Sequence, residues 1–144
     1  MHYSDTFLRQ IFNTTKTIAL VGASANPARP SHYVGQFLAK RGWRVIGVNP
    51  GLAGQSLYGE TVYASLSDIP EPVDMVDIFR RSEDVPPVVD EALSLPHMPA
   101  HIWMQIGVVH DGAAAKAESQ GLTVVMNRCP MVEVPRLFGP GVAV

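Results

Sequence analysis

The chain has 144 residues, of which 47% are apolar, and a formal net charge of −2. This length and composition predict one soluble domain over residues 1–144 with a substantial hydrophobic core. No apolar run approaches the roughly 20 residues of a membrane span, and the N-terminus resembles no signal sequence, so we expect a cytoplasmic protein without a membrane partner. The near-neutral charge and scattered basic residues argue against nucleic-acid binding.

The residue types that most often carry metal or covalent chemistry are sparse. The single cysteine, Cys129, cannot form an internal disulfide, which agrees with a reducing compartment and excludes a cysteine-rich zinc site. The five histidines show no i, i+4 pair on a predicted helix, so no metal site is expected. No Ser–His–acid or Cys–His arrangement falls at a predicted strand end. We therefore expect neither a metal nor a catalytic group.

Apolar periodicity and turn residues divide the chain into alternating helices and strands. The predicted elements are a helix ending near residue 13 behind Ser4 and Asp5, a strand over 17–22, a helix over 31–42, a strand over 43–48, a brief strand near 58–63, a helical turn over 65–70, a strand over 73–79, a helix over 82–95 begun by Ser82, a strand over 101–105, a helix over 111–120 and a last strand over 122–126.

Strands that alternate with helices through short loops predict right-handed βαβ units. The expected fold class is α/β, a Rossmann-like three-layer sandwich with a mostly parallel sheet and helices on both faces. In such sheets the ligand crevice lies beyond the carboxyl ends of the strands. The candidate site is therefore the set of residues that follow each strand, namely 22–24, 49–50, 79–81, 105–107 and 127–129.

The turn at Gly22 is the strongest local signal of function. A short β-branched run breaks at Gly22, and Ser31 opens a helical pattern soon afterwards. Unpaired N–H groups and the helix dipole make the start of a helix an anion site, so this turn predicts phosphate binding. Ser31 is also suited to be a simple helix N-cap, and the two roles are compatible.

The common phosphate-binding fingerprints do not fit this turn. A dinucleotide site needs G-x-G-x-x-G and an acidic residue after the second strand. Ser24 and Pro27 stand at the second and third glycine positions, and Asn49 stands where the acid is expected. The Lys-Ser or Lys-Thr pair of a Walker A loop is missing as well.

A nucleotide with an additional ribose phosphate suits these departures better, because a carboxylate after the second strand would repel it. Coenzyme A is such a nucleotide. Donors for its phosphates lie at or near strand ends: Ser24, Arg29, Ser31, Asn49 and Arg80. Residues suited to a groove for its weakly polar pantetheine arm are Pro50, Phe79, Ile106 and Val108.

Five motifs in order resemble the family of small, stand-alone CoA-binding domain proteins, which is similar to the CoA-binding domain of the succinyl-CoA synthetase α subunit. They are Val-Gly-Ala-Ser-Ala-Asn-Pro-Ala-Arg-Pro-Ser (21–31), Gly-Trp-Arg-Val with Val-Asn-Pro (42–45 and 48–50), Pro-Val-Asp with Phe-Arg (72–74 and 79–80), Trp-Met-Gln-Ile-Gly (103–107) and Val-Met-Asn-Arg-Cys (125–129). Together they extend over nearly the whole chain.

The resemblance implies that different strand ends bind different parts of the ligand. Phosphates would lie at Gly22, Ala23, Ser24 and Ser31, the nucleotide would be flanked by Asn49, Pro50, Phe79 and Arg80, and the arm would run along Gln105, Ile106 and Gly107. Asn127 stands where the resemblance implies an aspartate before Arg-Cys, so the chain has no carboxylate at this position.

Each of these residues also has a purely structural interpretation. Arg29 and Arg81 suit a solvated surface, Phe79 and Trp103 suit the core, and Gln105 suits a bond to the backbone. Cys129 is either an inert buried thiol or a group able to form a mixed disulfide with CoA.

The leading functional hypothesis is a noncatalytic protein that binds coenzyme A or an acyl-CoA as a carrier, sensor or regulator. The alternatives are an NAD(P)-binding oxidoreductase and a CoA-binding subunit of an acyl-CoA synthetase that a partner chain completes.

Overall fold

The computed structural model describes residues 2–141, with strands and helices in the predicted alternation. The strands are β1 (Thr17–Val21), β2 (Arg44–Val48), β3 (Ser56–Leu57), β4 (Glu60–Thr61), β5 (Met75–Ile78), β6 (His101–Met104) and β7 (Thr123–Val125). The helices are α1 (Asp5–Asn13), α2 (Pro30–Lys40), α3 (Val85–Leu93), α4 (Asp111–Ser119) and α5 (Pro130–Phe138). Short 3₁₀ turns span Pro50–Leu52, Leu66–Asp68 and Ser82–Asp84.

Five of these strands form one parallel sheet in the order β2-β1-β5-β6-β7. The chain leaves β1 toward β2 on one side and leaves β5 toward β6 on the other. The direction of the crossovers therefore reverses between β1 and β5, and a crevice opens at the carboxyl ends of strands at such a point. The predicted brief strand near residues 58–63 is instead a two-strand hairpin of β3 and β4.

Helices cover both faces of the sheet, which confirms the three-layer α/β architecture. One buried cluster joins alternate residues of the strands to residues of α1, α2 and α5, and the other joins the remaining strand residues to α3 and α4. The strands are buried on both faces, which is why they appear in the sequence as nearly continuous apolar runs.

Several helix starts follow the sequence and others do not. Ser4 caps α1 by accepting a hydrogen bond from the Phe7 N–H (3.1 Å), as its position predicts. Ser82 does not cap α3; it belongs to a 3₁₀ turn, and its hydroxyl accepts a hydrogen bond from the Val109 N–H (3.0 Å). Ser82 therefore ties two loops together instead of starting a helix.

Helix α5 was not predicted at all. Pro130 lies in its first turn, where proline fits, but Pro135 lies inside the helix and interrupts the pattern in the sequence. Tertiary packing compensates for this residue, because Val134 and Leu137 are buried against the sheet and α1. This helix matters for the site because its first turn forms part of a cavity wall.

Polar residues at the amino ends of the strands hold the sheet together. The Asp74 carboxylate accepts hydrogen bonds from the N–H groups of Lys16 and Thr17 (both 2.9 Å). The His101 ring bonds to Thr14 and Thr123, and burial lowers its pKa. These groups lie at the end of the sheet opposite to the crevice, so we assign them to the scaffold.

Candidate functional site

A large cavity lies at the carboxyl ends of the strands, where the crossovers reverse direction. Its volume is about 1320 Å³, beyond the roughly 300–1,000 Å³ of most small-molecule sites. Its walls include the β1–α2 turn, the segment after β5, the end of β6 and the first turn of α5. The cavity is therefore large enough for an extended ligand rather than a small one.

The turn at Gly22 is held tightly against the next strand. Gly22 has a positive φ of 94°, and its N–H donates to the carbonyl of Val48 (3.0 Å). A Cβ at Gly22 would lie 2.3 Å from the carbonyl oxygen of Phe79, so no larger residue fits. Glycine is required here both for the backbone conformation and for the close approach of two strand ends.

The loop between Gly22 and α2 is rigid because its polar groups bond to one another. The Ser24 hydroxyl accepts a hydrogen bond from the Asn26 N–H (3.1 Å), and the Asn26 side chain accepts one from the Ala28 N–H (3.0 Å). The His32 ring donates to the Ser24 carbonyl (2.8 Å). This network leaves the Ser24 hydroxyl proton available to a ligand.

Helix α2 starts at the cavity without a side-chain cap. Arg29 is at the N-cap position and makes no capping bond, Pro30 follows, and no acidic residue lies in the first turn. The helix begins at Pro30, so the predicted start at Ser31 is one residue late, and Arg29 rather than Ser31 is the N-cap. Ser31 is a buried residue of the first turn, and its carbonyl accepts a hydrogen bond from the Tyr58 hydroxyl (2.6 Å). Pro30 has no N–H, and the His32 N–H bonds to the Arg29 carbonyl (3.0 Å), so the Ser31 N–H and the helix dipole are what this end offers to an anion.

Asn49 supports the glycine turn from the neighbouring strand. Its amide group donates to the Ala23 carbonyl (2.8 Å), and its oxygen accepts from the Gly51 N–H (2.9 Å). Both ends of the side chain are thus engaged with backbone, although Asn49 also lines the cavity. Its position in the sequence predicted a ligand contact, and the structure adds a scaffolding role that the sequence did not reveal.

The charges around the cavity favour a negative ligand. Arg29 and Arg80 line it, and their side chains form no hydrogen bond or ion pair with any residue in the described range 2–141. Arg81, which also lines the cavity, forms exposed ion pairs with Glu83 (3.6 Å) and Asp84 (3.2 Å), and Asp84 is the one carboxylate among the lining residues. The unpaired guanidinium groups of Arg29, at the start of α2, and of Arg80, after β5, give the cavity two free positive charges that suit a phosphate.

The end of β6 contributes a buried acceptor. Gln105 is only 7% exposed and lines the cavity, and its side-chain oxygen has no hydrogen-bond partner within the described part of the chain. Buried polar atoms are almost always bonded, so this buried oxygen marks a place beside the cavity where a hydrogen-bond donor is missing. The amide N–H groups of a pantetheine arm are donors of this kind.

Asn127 replaces the expected aspartate without loss of its hydrogen bond. Its side-chain oxygen accepts from the Gly107 N–H (2.8 Å), as a carboxylate oxygen would. Its backbone φ is 61°, a conformation that asparagine tolerates better than most residues. The Asn127 side chain therefore links the ends of β6 and β7.

All the predicted site residues except Pro50 and Gly107 line this one cavity. Those that do are Gly22, Ala23, Ser24, Arg29, Ser31, Asn49, Phe79, Arg80, Gln105 and Ile106. Pro50 and Gly107 lie beside residues that line it, Gly51 and Ile106. Trp103 is fully buried and donates to the Arg128 carbonyl (2.8 Å), in agreement with its expected place in the core.

Sequence reasoning overlooked the lining from the start and the N-terminal flank of α5. Met131 and Val132 line the cavity together with Tyr33 and Leu52, whereas Cys129, which also lines it, was among the residues expected after the last strand. The only available signal was the apolar character of residues 131–132 beside a proline. Cys129 is a buried free thiol in this wall, a placement that agrees with either of its two interpretations.

No group of three or more His, Cys, Asp or Glu side chains within residues 2–141 could hold a metal ion. No helix in that range is both long enough and apolar enough to cross a bilayer.

The sheet, its crossovers and the position of the cavity define a Rossmann-like α/β protein. The model of the CoA binding domain family matches residues 16–135, so the chain belongs to that family. A relative from Bacillus subtilis (strain 168), "Uncharacterized protein YneT", is 36% identical over 122 residues, which is 85% of this chain and 87% of the relative. Family membership supports a CoA-binding role.

Solved structures agree with this assignment. A Thermus thermophilus protein, cell-free ID.343, is 41% identical with a TM-score of 0.89 over 94% of this chain and 100% of its own. A hypothetical protein from Pyrococcus horikoshii OT3 is 34% identical with a TM-score of 0.88, covering 95% of this chain and 94% of its own. A dinucleotide-forming acetyl-coenzyme A synthetase from Ca. Korarchaeum cryptofilum shares the fold at 23% identity and a TM-score of 0.64, over 82% of this chain and 26% of that one.

Proposed function

We propose that this protein binds coenzyme A or an acyl-CoA in the cavity at the carboxyl ends of its strands, as a noncatalytic carrier, sensor or regulator. The observation that carries the proposal is the uncapped start of α2 in a cavity that also holds the unpaired Arg29 and Arg80. In this arrangement the phosphates lie against the β1–α2 turn and the guanidinium groups. Anions gain most where such donors are already in place.

The pantetheine arm then extends along the sheet edge toward β6. Phe79 and Val108 offer apolar contacts, and the unpaired oxygen of Gln105 accepts a hydrogen bond from an amide of the arm. Asn49 holds the glycine turn in place and in this way positions the phosphate site. In this arrangement the phosphates of the cofactor are bound by charged and polar donors, and its pantetheine arm is bound by apolar contacts and one hydrogen bond.

The noncatalytic part of the proposal rests on the side chains that face the cavity. Within the described residues no histidine lines it, and the Ser24 hydroxyl is already an acceptor for the Asn26 N–H. The one carboxylate among the lining residues, Asp84, pairs with Arg81 and makes no hydrogen bond to Cys129. Nucleophilic catalysis needs a nucleophile and a base within hydrogen-bond reach, and this wall supplies only the first.

The ribose phosphate of CoA should be recognised directly. We expect dephospho-CoA, which lacks the 3′-phosphate, to bind roughly tenfold more weakly or worse, since hydrogen bonds to charged groups contribute about 1.5–3 kcal/mol each. Isothermal titration of the full chain with both ligands measures the difference, with NADP as a third ligand. Equal affinities for CoA and dephospho-CoA would remove the 3′-phosphate argument, and binding of NADP alone would favour the oxidoreductase alternative.

Removal of a phosphate donor should weaken binding without loss of the fold. We expect Arg80→Ala to raise the Kd for CoA roughly tenfold or more, and Ser24→Ala to raise it severalfold, because each removes a donor from the phosphate site. Arg44→Ala is a matched control: Arg44 begins β2 at the opposite end of the sheet and pairs with Glu60 and Glu71. Titration of the three variants measures these effects, and a similar loss in all three would contradict this placement of the phosphates.

The likeness to the acetyl-coenzyme A synthetase supports a second candidate, a CoA-binding subunit that a partner chain completes. This chain covers 26% of that structure, so the remaining modules would have to come from another protein. Copurification of this chain from a host that also expresses the proteins encoded beside it tests the partner-subunit hypothesis. A stoichiometric partner that confers CoA-dependent activity would replace the noncatalytic proposal.

A further inference from the structure

The turn after β1 and the first turn of α2 leave three backbone N–H groups free. Over residues 22–33 every other N–H group is bonded to the carbonyl of Val48 or within the turn, apart from the two prolines, which have none. Three N–H groups bond to nothing among the described residues, and their residues all line the cavity: Ser24, Ala25 and Ser31. Two of the three are consecutive, and consecutive free N–H groups in a turn form a concave site for an anion.

Two side chains fix the direction of the consecutive pair. The Asn49 amide donates to the Ala23 carbonyl (2.8 Å), and Nδ1 of His32 donates to the Ser24 carbonyl (2.8 Å). Both peptides are trans, and in a trans peptide the N–H points opposite to the carbonyl of the same plane. Asn49 therefore turns the Ser24 N–H away from itself, and His32 does the same to the Ala25 N–H.

His32 is held in turn by the hairpin of β3 and β4. The centroid of its ring lies 6.2 Å from that of the Tyr58 ring. Tyr58 is buried, and its hydroxyl donates to the Ser31 carbonyl (2.6 Å). Its ring also fills the space beside Gly35, where a Cβ would lie 2.4 Å from a ring carbon. The first turn of α2, which carries His32, therefore has a fixed position beside the loop.

We propose that His32 is a positioning residue of the phosphate site. By holding the Ser24 carbonyl it orients the Ala25 N–H, which donates, together with the Ser24 N–H, to a phosphate of the ligand. This inference rests on the proposed CoA-binding function and deepens it, because it names the donors and the group that orients them. Donors that are oriented before the ligand arrives lose little freedom on binding, so the phosphate is bound more tightly. His32 does not line the cavity itself and acts through the loop.

Titration of three variants of the full chain with CoA tests this role. His32→Phe keeps a ring beside Tyr58 but removes the donor, and we expect it to raise the Kd about fivefold or more. His32→Asn places an amide N–H as many bonds from the backbone as Nδ1, so its Kd should lie within about twofold of the wild type. His110→Phe is the matched control, because the His110 ring also bonds to backbone, at the Ala113 N–H (3.0 Å), but does not line the cavity. Its Kd should equal that of the wild type.

Amide spectra distinguish positioning from a general effect on the fold. In ¹H–¹⁵N spectra, saturating CoA should move the amide resonances of Ser24 and Ala25 downfield, because an N–H that donates to an anionic oxygen is deshielded. In His32→Phe the shift of Ala25 should be largely lost. The shift of Ser24 should be better preserved, because Asn49 holds its peptide. A loss of stability alone would leave both shifts in place at saturation.

The outcomes separate this inference from the proposed function. If the wild type does not bind CoA, both fail. If it binds CoA but the Ala25 resonance does not move, the Ala25 N–H is not a phosphate donor and this inference is overturned, whatever the variants do. It is overturned as well, with CoA binding intact, if His32→Phe binds like the wild type or if His32→Asn binds as weakly as His32→Phe.

Discussion

Replacement of Gly22 by alanine is expected to destabilise the protein by about 3 kcal/mol and to weaken CoA binding roughly tenfold or more. A positive φ costs a residue with a side chain about 1–3 kcal/mol, and the new Cβ would lie 2.3 Å from the Phe79 carbonyl oxygen. That oxygen belongs to the backbone, so the ends of β1 and β5 must separate. The phosphate site includes the turn at Gly22, so separation of these strand ends displaces the phosphate donors and weakens CoA binding.

Gly121 offers a matched control for this variant. Its φ of 91° is close to the 94° of Gly22, but a Cβ there would meet nothing within 4 Å. The free energy of unfolding of Gly121→Ala should therefore fall only by the cost of the positive φ, about 1 kcal/mol. This variant should bind CoA like the wild type. Urea denaturation and titration of both variants measure the difference. Equal losses of stability, with normal binding by Gly22→Ala, would show that the close approach is not needed.

Replacement of Asp77 by asparagine is expected to change how stability depends on pH. Asp77 lies in the middle of β5, opposite Leu20 and Trp103, with no exposed surface and no hydrogen bond to either carboxylate oxygen from the described residues. Burial raises its pKa well above the ordinary value of 3.8. Burial of the Tyr58 hydroxyl raises the pKa of that phenol as well.

The sign of the effect follows from the raised pKa. Between pH 4 and the folded pKa of Asp77, the folded protein holds a proton that the unfolded chain has released. The free energy of unfolding therefore falls as pH rises through this window, by up to about 1.4 kcal/mol per pH unit, and the stabilisation is fully present only below the unfolded pKa. Asparagine cannot ionise, so Asp77→Asn should be more stable than the wild type at pH 7, with a difference that shrinks toward pH 4.

Urea denaturation of the wild type and of Asp77→Asn between pH 4 and pH 8 measures the difference between their free energies of unfolding. The titration of all other groups is common to both proteins and cancels in this difference. Asp74→Asn is the contrasting variant, because Asp74 accepts two backbone hydrogen bonds at 2.9 Å. Its replacement should lower stability at neutral pH by about 1 kcal/mol, since a neutral oxygen is a weaker acceptor. A constant difference between Asp77→Asn and the wild type across the whole pH range would contradict a protonated Asp77.

Much of the fold was predictable because local signals agreed with the final packing. The strands are buried on both sides and appear as apolar runs, and Ser4 and the residues His110-Asp111 begin helices as their positions suggest. Helix α5 was missed because Pro135 interrupts its pattern, and its stability comes from burial of Val134 and Leu137 in the core. Local propensity cannot reveal a helix that tertiary contacts stabilise.

The candidate site was predictable only in outline. Residues after each strand were expected to meet, and most of them do, because parallel strands bring their carboxyl ends to one edge. The engagement of Asn49 by two backbone groups, the unpaired oxygen of Gln105 and the apolar wall from α5 could not be predicted. Each depends on distances between residues far apart in the chain.

The sequence alone determined the alternation of strands and helices, the glycine turn at Gly22 and the likeness to a CoA-binding family, because these depend on local order and residue type. The tertiary structure alone decided that the crossovers reverse between β1 and β5, that Gly22 contacts Phe79, and that Arg29 and Arg80 remain unpaired at one cavity. It also placed Met131 and Val132, from a helix that packs against α2, in the wall of that cavity. The reason is physical: strand order and charge pairing are set by packing between distant segments, which no local pattern encodes.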